Sequence, residues 1–212
     1  MNDLLLRYRF RLLFAGTLLA IVVLGFPQPP RALQYTVVVL LMLTGLNTLR
    51  HNRLLLSLAL FFGLIELLVQ LLHDYASLPA IIDRGLALIA FYLVLVNALF
   101  RRVTQERPVT RELLYGFCAL YLQLGLAFAF AFAVLELLWP GSFTAGQQAA
   151  PRLDSFVYYS LVTLTTVGYG DIQALSPPAR LLSAGEAVIG VFFIALAVSR
   201  VITLLHDREL GL

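Results

Sequence analysis

The residues with the clearest capacity for chemistry form one short segment, 163–171, which reads Thr-Leu-Thr-Thr-Val-Gly-Tyr-Gly-Asp. Gly168 and Gly170 alternate with larger residues, and glycine adopts at little steric cost the backbone conformations that other residues avoid. With alternate residues in such conformations, successive carbonyl groups can turn to one side of the strand. A row of carbonyl oxygens can replace the water shell of a dehydrated cation. The segment therefore predicts a cation-binding strand whose ligands are main-chain oxygens.

The part of this segment from Thr165 to Asp171, TTVGYGD, resembles the signature of tetrameric potassium channels. All seven residues would occur together at a given position by chance with odds on the order of one in a billion. A glycine-rich turn between two helices is the alternative interpretation. The resemblance in motif extends over about 150–205, so it concerns the carboxyl-terminal part of the chain.

The resemblance implies a selectivity filter in which K+ is bound by main-chain oxygens and by one threonine hydroxyl at the inner end. The ion-binding residues would be Thr166, Val167, Gly168 and Tyr169, followed by Gly170. Because one strand cannot enclose an ion, the resemblance also implies a homotetramer around a single pore. Conduction would be passive, with ions displacing one another in single file.

The run 156–164 before the filter resembles the short pore helix of the same family, started by Asp154 or Ser155 as a cap. Its carboxyl end would face the central cavity, where the negative end of the helix dipole favours a cation. Val162 stands where some members of the family carry a carboxylate behind the filter. That particular interaction is therefore not expected in this chain.

The predicted support of the filter consists of side chains next to it on both sides. By the resemblance, Tyr158 and Tyr159 occupy positions where the family has aromatic residues around the filter. Their hydroxyl groups would bond Asp171 or Tyr169, and Thr165 belongs to the same support. Anchoring at the membrane interface is the alternative role of the two tyrosines.

Two residues of the last apolar span stand out. Gly190 lies 20 residues beyond Gly170, a spacing that resembles the inner-helix hinge of the family, although glycine also serves close helix packing. Glu186 is a carboxylate near the middle of this span. Because a carboxylate is expensive to bury in lipid, we expect its side chain to face protein or water.

The elements that must hold these residues are apolar helices. Hydrophobic residues make up 60% of the 212 residues and charged residues 13%, with a mean hydropathy of +0.89, which nearly excludes a soluble enzyme. The predicted fold is an all-α membrane protein of six transmembrane helices, with a re-entrant pore helix and filter between the fifth and the sixth. The predicted spans are 10–26, 33–49, 54–73, 82–100, 113–138 and 180–205.

Arginine placement predicts the orientation of the spans. All 15 basic residues are arginine, and a cytoplasmic amino terminus puts eleven of them inside and four outside. This distribution satisfies the positive-inside rule with both termini cytoplasmic. The first span could be mistaken for a secretory signal, but Pro27 follows where a cleavage site would be expected. The composition suggests a bacterial inner membrane.

Two domains are expected. Residues 108–212 would form the pore domain, and residues 1–107 a four-helix peripheral domain that matches a voltage sensor in span count and orientation. An arginine ladder is missing from the fourth span, where Arg84 stands alone near the outer end. Arg101 and Arg102 at the cytoplasmic edge are interpreted as positive-inside anchors.

Polar residues within the predicted spans indicate alternative functions. Glu66, Gln70 and His73 fall on one face of the third span, either as interhelical contacts or as a proton path. A proton-coupled transporter using Glu66, His73 and Glu186 is the rival function of a different class. The nearer rival is a non-selective or regulatory pore subunit that conducts poorly by itself.

Little else is expected to bind. A net charge of +3 gives no reason to expect nucleic acid, and no enzyme activity or cofactor beyond permeant K+ is implied. The single cysteine, Cys118, can form no disulfide within the chain and is interpreted as a small buried hydrophobic residue. The seven residues after Leu205 leave no room for a regulatory domain, so we expect any regulator to be a separate subunit.

Overall fold

A computed structural model describes residues 8–26, 30, 53–72, 86–105, 111–144 and 151–209, together with scattered positions between 33 and 44. The elements in chain order are α1 (Arg9–Leu24), α2 (Arg53–Leu72), α3 (Leu86–Gln105), α4 (Arg111–Leu138), β1 (Phe143–Thr144), α5 (Leu153–Leu164), β2 (Gln173–Ala174) and α6 (Pro177–Glu209). Helices thus occupy five of the six predicted spans. The predicted span 33–49 falls mostly outside the described residues, and its described positions are helical.

Two of these helices are long and apolar enough to cross a membrane. Within the described part of the chain they are Glu112–Leu138 of α4 and Pro177–Ile202 of α6. Shorter apolar stretches, Leu56–Ile65 and Ile89–Arg101, lie in α2 and α3. The two long helices support a membrane protein, whereas six spans remain a prediction.

Helix α4 is the central element of the fold. It packs against α1, α3 and α5, and it also contacts α6. Phe132 of α4 meets Phe143 of β1 and Tyr159 of α5, with ring centroids 5.3 and 5.1 Å apart. Helix α5 therefore packs between α4 and α6, which both contact it.

A buried polar contact joins α1 to α4. The Gln123 side-chain amide donates a 2.7 Å hydrogen bond to the Thr17 hydroxyl, which in turn donates to the Leu13 carbonyl at 2.8 Å. Both Thr17 and Gln123 are fully buried. Near the amino-terminal end of α1, Arg11 pairs with Glu112 at the start of α4. The first helix therefore docks on the outer helix of the predicted pore domain.

The segment after α4 is held by a small sheet. Strands β1 and β2 are antiparallel, with Phe143 opposite Ala174 and Thr144 opposite Gln173. The Glu136 carboxylate accepts hydrogen bonds from two backbone N–H groups of the turn that follows α4. These contacts join the end of α4 to the segment that enters α6.

The predictions about Cys118 and about several polar residues of the spans have different outcomes. Cys118, interpreted as buried, is instead exposed on α4 in the single chain, because its position falls on the side of α4 away from the packed helices. Arg84 and His73 lie outside the described residues. The same holds for the side chains of Glu66 and Gln70, so the polar stripe of the third span remains a prediction.

Candidate functional site

The site begins with α5, which starts earlier than predicted. The amino-cap residue is Arg152, in extended conformation and with no side-chain cap hydrogen bond, so the prediction of Asp154 or Ser155 as cap is wrong. Asp154 lies in the first helical turn, 3.8 Å from the Arg152 guanidinium. There its negative charge complements the positive end of the helix dipole, which explains its position without a cap bond.

The backbone of the predicted filter alternates in conformation. Thr166, Gly168 and Gly170 have φ values of +60°, +53° and +80°, while Val167 and Tyr169 between them do not have positive φ. The alternation expected from the two glycines is therefore present. Thr166 extends the alternation by one residue. Among the described residues, Thr166 is the only non-glycine residue with positive φ. Sequence reasoning missed this feature, because a β-branched residue seldom adopts that region.

The direction of two carbonyl groups follows from backbone hydrogen bonds. The N–H groups of Val167 and Gly168 both donate to the Val162 carbonyl of α5, at 2.9 and 3.3 Å. In a trans peptide the N–H of one residue and the C=O of the preceding residue point in opposite directions. The carbonyls of Thr166 and Val167 therefore both point away from α5. Two successive oxygens thus face the same side, as cation coordination requires.

The side chains of the strand have few partners within the chain. Val167 and Tyr169 are 53% and 72% exposed. The Tyr169 ring stacks parallel to the Tyr158 ring, with centroids 6.4 Å apart and planes at 2°. At the outer end, the Gln173 amide donates to the Gly170 carbonyl at 3.1 Å. The face that carries the larger side chains is therefore largely uncovered in a single chain.

The two tyrosines of α5 have different partners. Tyr158 lies near the Asp171 carboxylate, and the hydrogen bond that the resemblance implies for one of the tyrosines stays a prediction. Desolvation raises the pKa of the Tyr158 phenol, and the nearby negative charge of Asp171 raises it further. The Tyr159 hydroxyl instead donates to Ser183 of α6 at 2.8 Å. Tyr158 thus contacts the strand, whereas Tyr159 connects α5 to α6.

The carboxyl end of α5 is anchored at three points. The Thr165 hydroxyl donates to the Leu161 carbonyl at 2.7 Å, and the same carbonyl accepts the Thr165 backbone N–H at 3.1 Å. Tyr121 of α4 donates from its hydroxyl to the Leu164 carbonyl at 2.9 Å. Gly190 of α6 lies against the same carbonyl group, where a Cβ atom would overlap the oxygen. Tyr121 was not predicted, because no sequence pattern distinguishes it from an interfacial tyrosine.

Glu186 of α6 is fully buried, and it faces protein, which is one of the two surroundings predicted for it. Its carboxyl group hydrogen-bonds with the Ser160 hydroxyl of α5. Ser160 also donates to the Gly125 carbonyl of α4 at 2.6 Å. Three helices therefore meet at one polar contact. Within the described residues, no group of histidine, cysteine and carboxylate side chains could hold a metal ion.

Residues 117–207 match a family described as "Ion channel". The chain is also 29% identical over 138 residues to "Two pore potassium channel c" from Oryza sativa subsp. japonica. That alignment covers 65% of this chain and 29% of the relative, so the chain spans less than a third of the relative's length. No solved structure matches the chain. The two matches together support an ion channel rather than an enzyme.

Proposed function

We propose that this chain is one subunit of a potassium-selective channel that conducts K+ passively. The observation that carries the proposal is the backbone of Thr166 to Gly170, in which positive φ values alternate within a TTVGYGD sequence. Such a backbone lets main-chain oxygens replace the water shell of the ion. The potassium channel from Oryza sativa supports the choice of ion.

The surroundings of the strand suit a cation. The carboxyl end of α5 leads directly into the strand, and the negative end of a helix dipole attracts positive charge. The carbonyls of Thr166 and Val167 point away from α5, and those of Gly168 and Tyr169 are proposed to continue the same row. These four oxygens, with the Thr166 hydroxyl at the inner end, are the proposed K+ ligands.

Four copies of the chain are proposed to surround one pore, because a single strand cannot enclose an ion. The exposed side chains of Val167 and Tyr169 would then be covered by neighbouring subunits. Helix α6 also presents many apolar side chains that are more than half exposed in the single chain, which suits contact with other subunits and with lipid. Among them are Leu181, Val188, Val191, Phe192, Leu196 and Ile202.

The proposed arrangement in the membrane follows the sequence. Residues 108–212 would form the pore domain, and the helices before them a peripheral four-helix domain, with both termini cytoplasmic and the protein in a bacterial inner membrane. The contact of Gln123 with Thr17 supports a peripheral domain that is packed on the pore domain.

Ion flux tests the proposal. The full chain is reconstituted in liposomes, and uptake of rubidium, as a substitute for potassium, is compared with uptake of sodium. We expect rubidium uptake that barium blocks and much slower sodium uptake. Equal uptake of the two ions would contradict selectivity, and absence of uptake by a folded tetramer would contradict conduction by this chain alone.

A further inference from the structure

Ser160 of α5 stands at the point where α4, α5 and α6 meet, and its hydrogen bonds can be counted. Its oxygen lies 2.6 Å from the Gly125 carbonyl oxygen and also contacts a carboxyl oxygen of Glu186. A carbonyl group cannot donate, so the single hydroxyl hydrogen of Ser160 goes to Gly125. The hydrogen between Ser160 and Glu186 must then come from Glu186. Hydrogen bonds at both contacts therefore require that the carboxyl group of Glu186 is protonated.

Another carboxylate of the pore region, Glu136, has the opposite surroundings. Glu136 receives backbone N–H groups on both oxygens, from Gly141 at 2.7 Å and from Phe143 at 3.0 Å. An acceptor with two donors suits an ionised carboxylate. In contrast, one carboxyl oxygen of Glu186 contacts the Ser160 hydroxyl, and the other has no hydrogen-bond partner among the described residues. The two glutamates therefore form a matched pair for experiment.

The surroundings of Glu186 offer no compensation for a negative charge. The side chain is fully buried, and no charged group of the described residues acts on it. The titratable group that faces it from α4 is the Tyr121 phenol, which is neutral at ordinary pH, and from α5 it faces the Ser160 hydroxyl. A buried charge without a partner is strongly unfavourable, whereas a neutral carboxyl group that donates one hydrogen bond is tolerated.

We propose that Glu186 is a positioning residue that carries a proton at neutral pH and, through Ser160, holds α5 against α4 and α6. The proposal rests on the proposed function, because its consequence concerns the filter. Ser160 lies two residues before Val162, whose carbonyl receives the N–H groups of Val167 and Gly168. A shift of α5 at Ser160 therefore moves the acceptor that orients the strand.

Loss of this proton would reverse the contact. An ionised Glu186 can accept a hydrogen bond but cannot donate one, so Ser160 would have to choose between Glu186 and Gly125. The contact that Ser160 gave up would then hold two buried oxygen atoms at hydrogen-bond distance with no hydrogen between them, which is costly. The position of α5, and with it the spacing of the filter oxygens, therefore depends on one proton of the inner helix.

Infrared spectroscopy of the full chain in lipid at neutral pH tests the proton directly. The spectrum of Glu186→Gln is subtracted from that of the wild type, and the matched control is the same subtraction with Glu136→Gln. We expect the first difference to contain the carbonyl band of a protonated carboxyl group, sensitive to deuterium exchange, and the second to contain carboxylate bands. Carboxylate bands in the Glu186 difference would overturn the proposal.

Ion flux tests the positioning role. Glutamine at 186 can still donate to Ser160, whereas leucine fills the space without a donor. We expect Glu186→Gln to keep the rubidium-to-sodium flux ratio within about twofold of the wild type, and Glu186→Leu and Ser160→Ala to lower it by about tenfold, the size expected of an unpaired buried polar group. An unchanged ratio in Glu186→Leu would overturn the role.

The two experiments separate the proposals. A wild-type chain that transports no rubidium would contradict the proposed function, yet the infrared difference would still decide whether Glu186 carries a proton. Selective transport combined with carboxylate bands from Glu186 would contradict the proton and leave the proposed function standing. Where Glu186→Leu fails to assemble, the ratio in Ser160→Ala decides the positioning role, since that variant keeps the carboxyl group.

Discussion

Gly190 of α6 lies directly against the carbonyl group of Leu164, the last residue of α5. A Cβ atom at Gly190 would overlap the carbonyl oxygen and lie 3.0 Å from the carbonyl carbon and 3.3 Å from Cα. The obstacle is backbone, which cannot rotate aside as a side chain would. The contact between the inner helix and the base of the strand therefore requires glycine at this position, whether or not α6 also bends there.

The first prediction is that Gly190→Ala destabilises the assembled protein. The clash with Leu164 should lower stability by about 1–3 kcal/mol, as overpacking does elsewhere. The matched control is Gly185→Ala on the same helix, because no atom lies within 4 Å of a Cβ atom there. That control should be neutral or gain up to about 1 kcal/mol from helix propensity. Thermal unfolding in lipid or mild detergent measures both, and equal midpoints would contradict the close contact.

A second prediction separates backbone conformation from packing in the filter. No atom lies within 4 Å of a Cβ atom at Gly168 or Gly170, so Gly168→Ala and Gly170→Ala create no clash within the chain. Their positive φ values nevertheless cost alanine about 1–2 kcal/mol each. Because the strand can relieve this strain by turning carbonyls away from the ion, potassium selectivity should be lost or degraded.

Gly141 provides the control for that experiment. It has a φ of +83° and open space around a Cβ atom, but it lies in the turn after α4 and not in the filter. Gly141→Ala should therefore lower stability to a similar extent and leave the rubidium-to-sodium flux ratio unchanged. Unchanged selectivity in both filter variants would contradict the assignment of the strand.

The third prediction concerns the docking of α1 on α4. Thr17→Val removes the acceptor of the Gln123 amide and leaves a fully buried donor unpaired. We expect a loss of about 1–3 kcal/mol in stability. Adding Gln123→Leu removes the unpaired amide, so the double variant should recover much of the lost stability. A double variant that is less stable than Thr17→Val would show that the hydrogen bond is not what joins these helices.

A fourth prediction is the oligomeric state. In mild detergent or lipid particles the chain should form a homotetramer with fourfold symmetry, because a ring of main-chain oxygens closes only when several strands surround the ion. Mass measurement of the intact particle checks the number of chains. A monomer or dimer that still transports potassium would contradict the proposed pore.

The fifth prediction is shallow voltage dependence. Moving one charge through the membrane potential is worth about 2.3 kcal/mol per 100 mV, and steep gating needs roughly three to four such charges per subunit. The fourth predicted span carries Arg84 alone, near its outer end. Bilayer recordings should show an open probability that changes little with voltage and little on Arg84→Gln. A steep curve that flattens in this variant would contradict the prediction.

The sequence by itself determined the features that depend on local backbone and on length. The glycines at 168 and 170 predicted alternate backbone conformations, and the apolar runs predicted helices that agree with α1, α2, α4 and α6 within a few residues. Both inferences are local, because a glycine's conformational range and the length of an apolar run do not depend on distant neighbours. The prediction for the start of α5 was wrong, because the helix begins after Arg152 and not at Asp154 or Ser155, whose side chains are better caps.

Only the tertiary structure decided which side chains meet. Glu186 and Ser160 are 26 residues apart in sequence and Tyr121 and Leu164 are 43 apart, and nothing in the spacing relates either pair. A side chain reaches only a few ångströms. Such contacts therefore exist only when the packed helices have a particular rotation about their axes and a particular position along them. For the same reason Gly190 could be read as a hinge or a packing site until its distance to Leu164 was known.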